Sequence, residues 1–280
     1  MYPLEMMVRL LEVCRSAFYA WEKRCRQPLG KRAGEDAKID EKLIEIRDEE
    51  SRGTYGSRRY QDALRNRGMR IGRHRIVRRM QDLAIQPKRR RRFKATTNSK
   101  HDLPIAPNLL DRQFSVSQPN RYWVGDITYV PIGEGWGYLA TVIDLFSRKV
   151  IGWAFSTRMT ADLVIRAFLM AVWLRKPSEG LVFHSDRGSQ YASEAFRRIL
   201  KLWKSVQSMS RKGNCWDNAV AESFFRSIKV EWLCHERFEE ARIAELRIFE
   251  YIAWYNRIRI HSACGGTSPD KFENVKLNCA

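Results

Sequence analysis

The chain has 280 residues, with 51 Lys and Arg against 32 Asp and Glu, a net charge of +19 and a pI near 10. That length allows a large core and more than one module, and that charge asks for a polyanionic partner, nucleic acid before an acidic membrane. No apolar run reaches the roughly 18 residues of a spanning helix, and six cysteines without a C-x-x-C pair argue against a disulfide framework.

Leu4 to Arg24 reads as two short helices, with Met6, Met7, Leu10, Leu11 and Val13 on one apolar face and Ala17, Phe18 and Trp21 on the other. They form either a small helix-turn-helix unit or a plain helical hairpin. Arg26 to Asp36, with Pro28, Gly30 and Gly34, reads as a linker. Residues 37–86 then predict a helix-turn-helix domain. Ile39 to Arg47 is amphipathic, Ser57 is placed to cap a helix running to Gly68, and Gly72 to Leu83 puts Ile76, Val77 and Met80 inside. Arg73, Arg75, Arg78 and Arg79 are left on the outer face of that last helix. A solvated face ordinarily mixes the signs of its charges. Ser51 to Lys100 instead holds 17 basic and 2 acidic residues, which favours DNA contact over solvation. Lys88, Arg89, Arg90, Arg91 and Arg92 open residues 87–117, a basic, Pro-containing stretch. Such a block repels itself until phosphates neutralise it, so its binding should be salt-dependent and blind to sequence.

From residue 118 the pattern changes. Strand-like runs occupy Tyr122 to Pro131, Trp136 to Phe146 and Arg148 to Phe155, too closely spaced for helical crossovers and therefore antiparallel. A helix over Thr160 to Lys176, a strand at Leu181, a helix over Ser193 to Lys204, a short strand over Ser205 to Met209 and a helix over Ala219 to Leu233 follow. A last helix, Glu239 to Arg257, is expected to pack through Ile243, Leu246, Phe249 and Ile252. Three meandering strands followed by alternating helix and strand predict an α/β fold, an RNase H-like mixed sheet with helices on both faces, over 118–280.

Asp126 sits inside the first strand, Asp186 ends the Leu181 strand and Glu222 lies on a helix. A carboxylate in an apolar strand is costly unless something offsets its charge, and a divalent cation is the usual partner. Mg²⁺ takes hard oxygen ligands, so three such acids suit it. Asp144 is read as a turn-stabilising acid near Ser147, Asp217 and Asn218 as helix N-caps, and His184 as a hydrogen-bonding neighbour of the acids. Trp123, Trp136, Trp153 and Trp173 read as core, while Trp216 is open between stacking on DNA and capping the core. Cys234-His235 and His261-x-x-Cys264 lack the spacing of a finger, so no structural zinc is expected.

The acids also stand in longer words: Trp-Val-Gly-Asp-Ile-Thr-Tyr, Val-Ile-Asp-Leu-Phe-Ser-Arg, His-Ser-Asp-Arg-Gly-Ser-Gln-Tyr, Trp-Asp-Asn-Ala-Val-Ala-Glu-Ser-Phe-Phe and Tyr-Asn-Arg-Ile-Arg-Ile-His. With 35 residues between Asp186 and Glu222, these resemble the DDE transposases and retroviral integrases, and most of all the OrfB proteins of two-frame bacterial insertion sequences. The resemblance implies that Asp126, Asp186 and Glu222 hold two Mg²⁺ ions, with Mn²⁺ a possible substitute. It implies cleavage of double-stranded DNA at transposon ends and transfer of the 3′-hydroxyl to target DNA. The competing enzyme is an RNase H-like nuclease or resolvase that cuts without joining; the competing binding protein is a DNA-binding regulator. Lys229, two helical turns past Glu222, matches a basic position of the family, and Arg226 is a further DNA contact or a partner of Glu222. Self-association in a transpososome, an OrfA partner or fusion, and a place at the nucleoid in the bacterial cytoplasm are implied as well; nothing at the start reads as a signal peptide. Two departures stand out. Leu11-Glu12-Val13-Cys14 lacks the family's turn glycine, and no histidine precedes His74 to form an integrase zinc domain.

Overall fold

In a computed structural model of the chain, residues 4–10, 12–26, 31–88, 103–212 and 214–278 are described. Helices α1 (Leu4–Leu10) and α2 (Arg15–Arg26) form as the apolar spacing predicts. Glu12 stands where the family places glycine and takes the left-handed conformation itself, at φ 50°, which costs about 1–2 kcal/mol. Helix α3 (Lys31–Glu45) begins inside the stretch read as a linker. Gly34 weakens it, but Glu35 and Asp36 are ion-paired to Arg75, a tertiary contact that propensity does not register. After one π-helical turn, Ile46–Ser51, come α4 (Ser57–Asn66) and α5 (Arg73–Asp82). Gly56, not Ser57, is the N-cap of α4, and no side chain caps it. Ile39, Leu43, Ile46, Tyr60, Leu64, Ile76 and Met80 close the core of this three-helix module.

Strands β1 (Tyr122–Ile132), β2 (Gly135–Asp144) and β3 (Val150–Ser156) meander antiparallel. Helix α6 (Ala161–Arg175) crosses over to β4 (Val182–Ser185), which pairs parallel with β1. Two short helices, α7 (Ser189–Ala192) and α8 (Glu194–Leu202), lead to β5 (Val206–Met209), parallel to β4. The sheet order is β3-β2-β1-β4-β5, the RNase H-like arrangement expected. Phe168 of α6 and Phe196 of α8 cover one face with Trp123, Val142 and Phe183. Helices α9 (Ala219–Glu231) and α10 (Ala241–Arg257) cover the other.

Two expectations fail here. The buried side of α10 is Ala244, Ile248, Tyr251, Ile252, Trp254 and Tyr255, and Ile243, Leu246 and Phe249 face outward. The aromatic face wins because Tyr251 and Tyr255 pack on Phe224 of α9. Trp136 and Trp173 are exposed, whereas Trp123 is fully buried. A further helix, α11 (Pro269–Asn278), lies beyond α10, held by ion pairs from Lys149 to Asp270 (2.7 Å) and from Arg175 to Glu273.

The helical module is seated directly on the α/β unit. One apolar cluster runs from Ile39 and Leu64 to Leu139, Phe224 and Trp254. Polar bonds reinforce it: Trp254 Nε1 donates to the Glu50 carbonyl (2.8 Å), the Ile260 amide to Tyr55 Oη (2.9 Å) and Asn66 Nδ2 to the Gly266 carbonyl (2.8 Å).

Candidate active site

Asp126 lies mid-strand in β1, opposite Thr141 of β2. The parallel pairing of β1 with β4 sets Gly125 beside Ser185, so Asp126 and Asp186 leave neighbouring strands at one level. Glu222 lies in the first turn of α9, which packs through Ala221, Phe224 and Phe225. The fold brings the three predicted acids within electrostatic reach of one another.

Their electrostatics show that they feel one another. Burial pushes the Asp126 carboxyl well above the usual carboxylate range, and repulsion from Asp186 and, less strongly, Glu222 adds to it. Partial desolvation and Asp186 raise Glu222. Asp126 accepts the Ile127 amide (2.8 Å) and Asp186 the Gly188 amide (2.9 Å), both local bonds. Lys229 lies within reach of Asp126; burial lowers its pKa while Asp126 pulls it back up. A cluster of mutually repelling oxygen donors fits a hard divalent cation, which would relieve the repulsion. Among the described residues no three acidic, His or Cys side chains are closed tightly enough to hold an ion as they stand. Glu222 is exposed on its helix.

The surroundings of the acids are built from residues the sequence underrated. His184 is fully buried, its Nδ1 2.8 Å from Ser208 Oγ and its Nε2 3.2 Å from Ser210 Oγ. Burial lowers its pKa to about 4, so it supports the strand as a neutral ring. Asp217 is not a cap. It accepts Arg112 Nε and Arg211 Nε (2.9 Å each) and Asn108 Nδ2 (3.1 Å), and Arg211 holds its carboxyl far below the usual range. Asn218 Nδ2 reaches the Gly125 carbonyl at 3.3 Å. No periodicity signals these roles; only the partners from distant segments do. Asp144 lies apart from the triad and serves its turn, accepting the Phe146 and Asn120 amides (2.9 and 2.8 Å). His235 bonds the nearby Val230 carbonyl (2.8 Å), and Cys264 Sγ donates to the Ser147 carbonyl (3.2 Å), far off in the chain.

The basic residues divide. Arg73 and Arg78 are exposed on α5, and Arg73 joins Gly56, Ser57, Arg58 and Arg59 around an open concavity at the head of α4. Arg75 and Arg79 are half-exposed and committed to ion pairs, with Glu35 and Asp36 and with Asp40 and Asp82. Their expected outer position is corrected by the acidic face of α3. Lys88 is also committed: its Nζ donates to the Glu231 carbonyl (3.0 Å) and lies over Trp232. Arg89, Arg90, Arg91 and Arg92 lie outside the described residues. Arg226 is exposed one turn past Glu222, with no ion pair between them among the described residues.

Comparison with known proteins agrees with this layout. An integrase core domain matches residues 116–215, a second integrase core domain matches 222–277, and an HTH-like domain matches 35–93. The chain is 43% identical over 268 residues to the insertion element IS600 uncharacterized 31 kDa protein of Shigella sonnei, covering 95% of this chain and 97% of that one. It is 41% identical over 277 residues to transposase InsF for insertion sequence IS3A of Escherichia coli K12, covering 99% and 96%. A remote likeness is the HTLV-2 integrase catalytic core domain in complex with magnesium, 20% identical with a TM-score of 0.44 over 55% of this chain and 97% of that chain. Identity of this order over nearly the full length places the chain in the family of insertion-sequence transposases with an integrase core domain.

Proposed function

We propose that this transposase cuts double-stranded DNA at the ends of its insertion element and joins the exposed 3′-hydroxyl to target DNA, with Asp126, Asp186 and Glu222 as its metal-holding acids. What supports this reading is that burial, then Asp186 and Glu222, raise the Asp126 carboxyl and that desolvation and Asp186 raise Glu222, so the three acids lie within electrostatic reach of one another. Mg²⁺, or Mn²⁺ in its place, would supply Lewis-acid stabilisation of the oxygens at phosphorus. The chain's own part is to present the acids from two strands and a helix and to keep Lys229 at their side. In each step one phosphodiester bond breaks for each bond formed: water cuts the end, then the 3′-hydroxyl displaces a target strand.

DNA is gripped farther out by Arg73, Arg78 and Arg226 and by the tract from Arg89 to Arg92; Arg75, Arg79 and Lys88 act through the fold. Two ends must be held together for joining, so a self-associated transpososome is part of the reading, with an OrfA-type partner or fusion supplying further end recognition. The protein works at the nucleoid; no described helix is long and apolar enough to cross a membrane. The test is incubation of labelled terminal repeats and target DNA with Mg²⁺, with and without the product of the upstream frame. Joined products are expected. Cuts without joining would indicate a nuclease, and mobility shifts alone a regulator. Asp126→Asn should abolish chemistry and keep most DNA binding.

A further inference from the structure

Ser210 and Asn218, eight residues apart, are tied to the two aspartate-bearing strands. The Ser210 amide donates to the Ser185 carbonyl (2.9 Å), and Arg187 Nε donates to the Ser210 carbonyl (2.6 Å). At the other end Asn218 Nδ2 reaches the carbonyl of Gly125, next to Asp126. Between these ties Asp217, 1% exposed, receives the amide, Nε and Nη2 of Arg211 and the Nε of Arg112, each at 2.9 Å. Trp216 is held in that clamp, its amide bonded to Asn214 Oδ1 (3.3 Å) in a 3-10 turn that runs straight into the Glu222 helix. Its indole is nevertheless 70% exposed.

Other exposed tryptophans of the chain have ring partners. Trp136 meets Tyr129 at 5.8 Å, Trp173 meets Trp203 at 5.7 Å and Trp21 meets Phe18 at 5.8 Å. Trp216 has no ring partner among the described residues. Its backbone is fixed while its π-face is open, six residues ahead of Glu222. Within a duplex every base face is already covered by its neighbours. An indole finds an open face only at an end, or where a base has left the stack.

We propose that Trp216 is a stacking platform for a nucleobase unpaired at the strand end being cut, holding the adjoining phosphate over the three carboxylates. This rests on the reading that the chain cuts DNA at element ends. Stacking of this kind is sequence-tolerant and changes affinity by roughly ten- to a hundredfold per base.

The test compares the full chain with Trp216→Ala and Trp216→Phe on duplexes carrying 2-aminopurine beside the cut, either fully paired or mismatched there. The wild type should change the 2-aminopurine fluorescence on binding. Trp216→Ala should lose that change and cut the paired end roughly tenfold or more slowly, with part of the rate recovered on the mismatched end. Trp216→Phe should keep most of both, and all three chains should melt at the same temperature. Equal rates and signals for the wild type and Trp216→Ala would overturn the proposal, as would a Trp216→Phe chain as defective as Trp216→Ala. A wild type that neither cuts nor joins these ends overturns the reading of the site itself, and the role of Trp216 with it.

Discussion

Asp126 shows how a single residue stores the demand for a ligand. Its carboxyl is raised by burial, by Asp186 and by Glu222. A group raised in the folded state favours folding at low pH, and that contribution disappears as pH climbs through the raised value. The metal-free protein should therefore lose stability as pH rises through that raised value, and Asp126→Asn should be the more stable chain above it. Adding Mg²⁺ or Mn²⁺ should raise the melting temperature of the wild type and leave that of Asp126→Asn nearly unchanged, which thermal melts in chelator and in metal will measure. His184 works in the opposite sense. Its folded pKa of about 4 lies below the ordinary 6.5, so its contribution is present above 6.5 and is lost as pH falls toward 4. A loss on the order of 3 kcal/mol follows, and urea midpoints across that window should show a shallower fall for His184→Gln.

At the scale of elements, α9 carries Glu222, proposed as a metal-holding acid, near its start and Glu231 at its end. Glu231 is nearly buried between Arg259 (2.7 Å), Tyr251 Oη (2.8 Å) and Arg59 of the helix-turn-helix module (2.9 Å). Burial opposes its charge, but the two guanidiniums and the phenol prevail and its pKa stays below the usual value. Glu231→Ala would strand Arg259, whose side chain is 3% exposed. A loss of about 3–5 kcal/mol is expected, read as a lower denaturant midpoint. Gly152 of β3 is a second such point. A Cβ there would stand 2.2 Å from the Ala167 carbonyl and 2.8 Å from Ala171 Cβ of α6. Gly152→Ala should lift α6 off the sheet and cost about 1–3 kcal/mol or more.

For the molecule as a whole, the charge is arranged in two uses. Part of the arginine set assembles the protein: Arg75 and Arg79 tie α5 to α3, and Arg59 and Lys88 tie the module to α9. The remainder faces outward. Arg73→Ala and Arg78→Ala should each weaken DNA binding at all sequences and reduce the slope of log affinity against log salt by about 1. Arg75→Ala and Arg79→Ala should instead lower stability. Binding titrations at several salt concentrations beside thermal melts separate the two classes. The shared core between module and catalytic unit means that both should unfold in one transition.

The RNase H-like sheet and its antiparallel meander were legible in the sequence, because strand alternation and short turns are local signals, and the long motif words pointed to the insertion-sequence family. The helical module was legible for the same reason. The tertiary structure decided the rest. It tied up Arg75, Arg79 and Lys88 in tertiary contacts, since Asp36, Asp40 and the Glu231 carbonyl that receive them lie far off in the chain. It also chose the aromatic face of α10 over the aliphatic one and made Asp217 an anchor instead of a cap. A side chain's partner from a remote segment leaves no mark on its own neighbours in sequence, and only folding brings the two together.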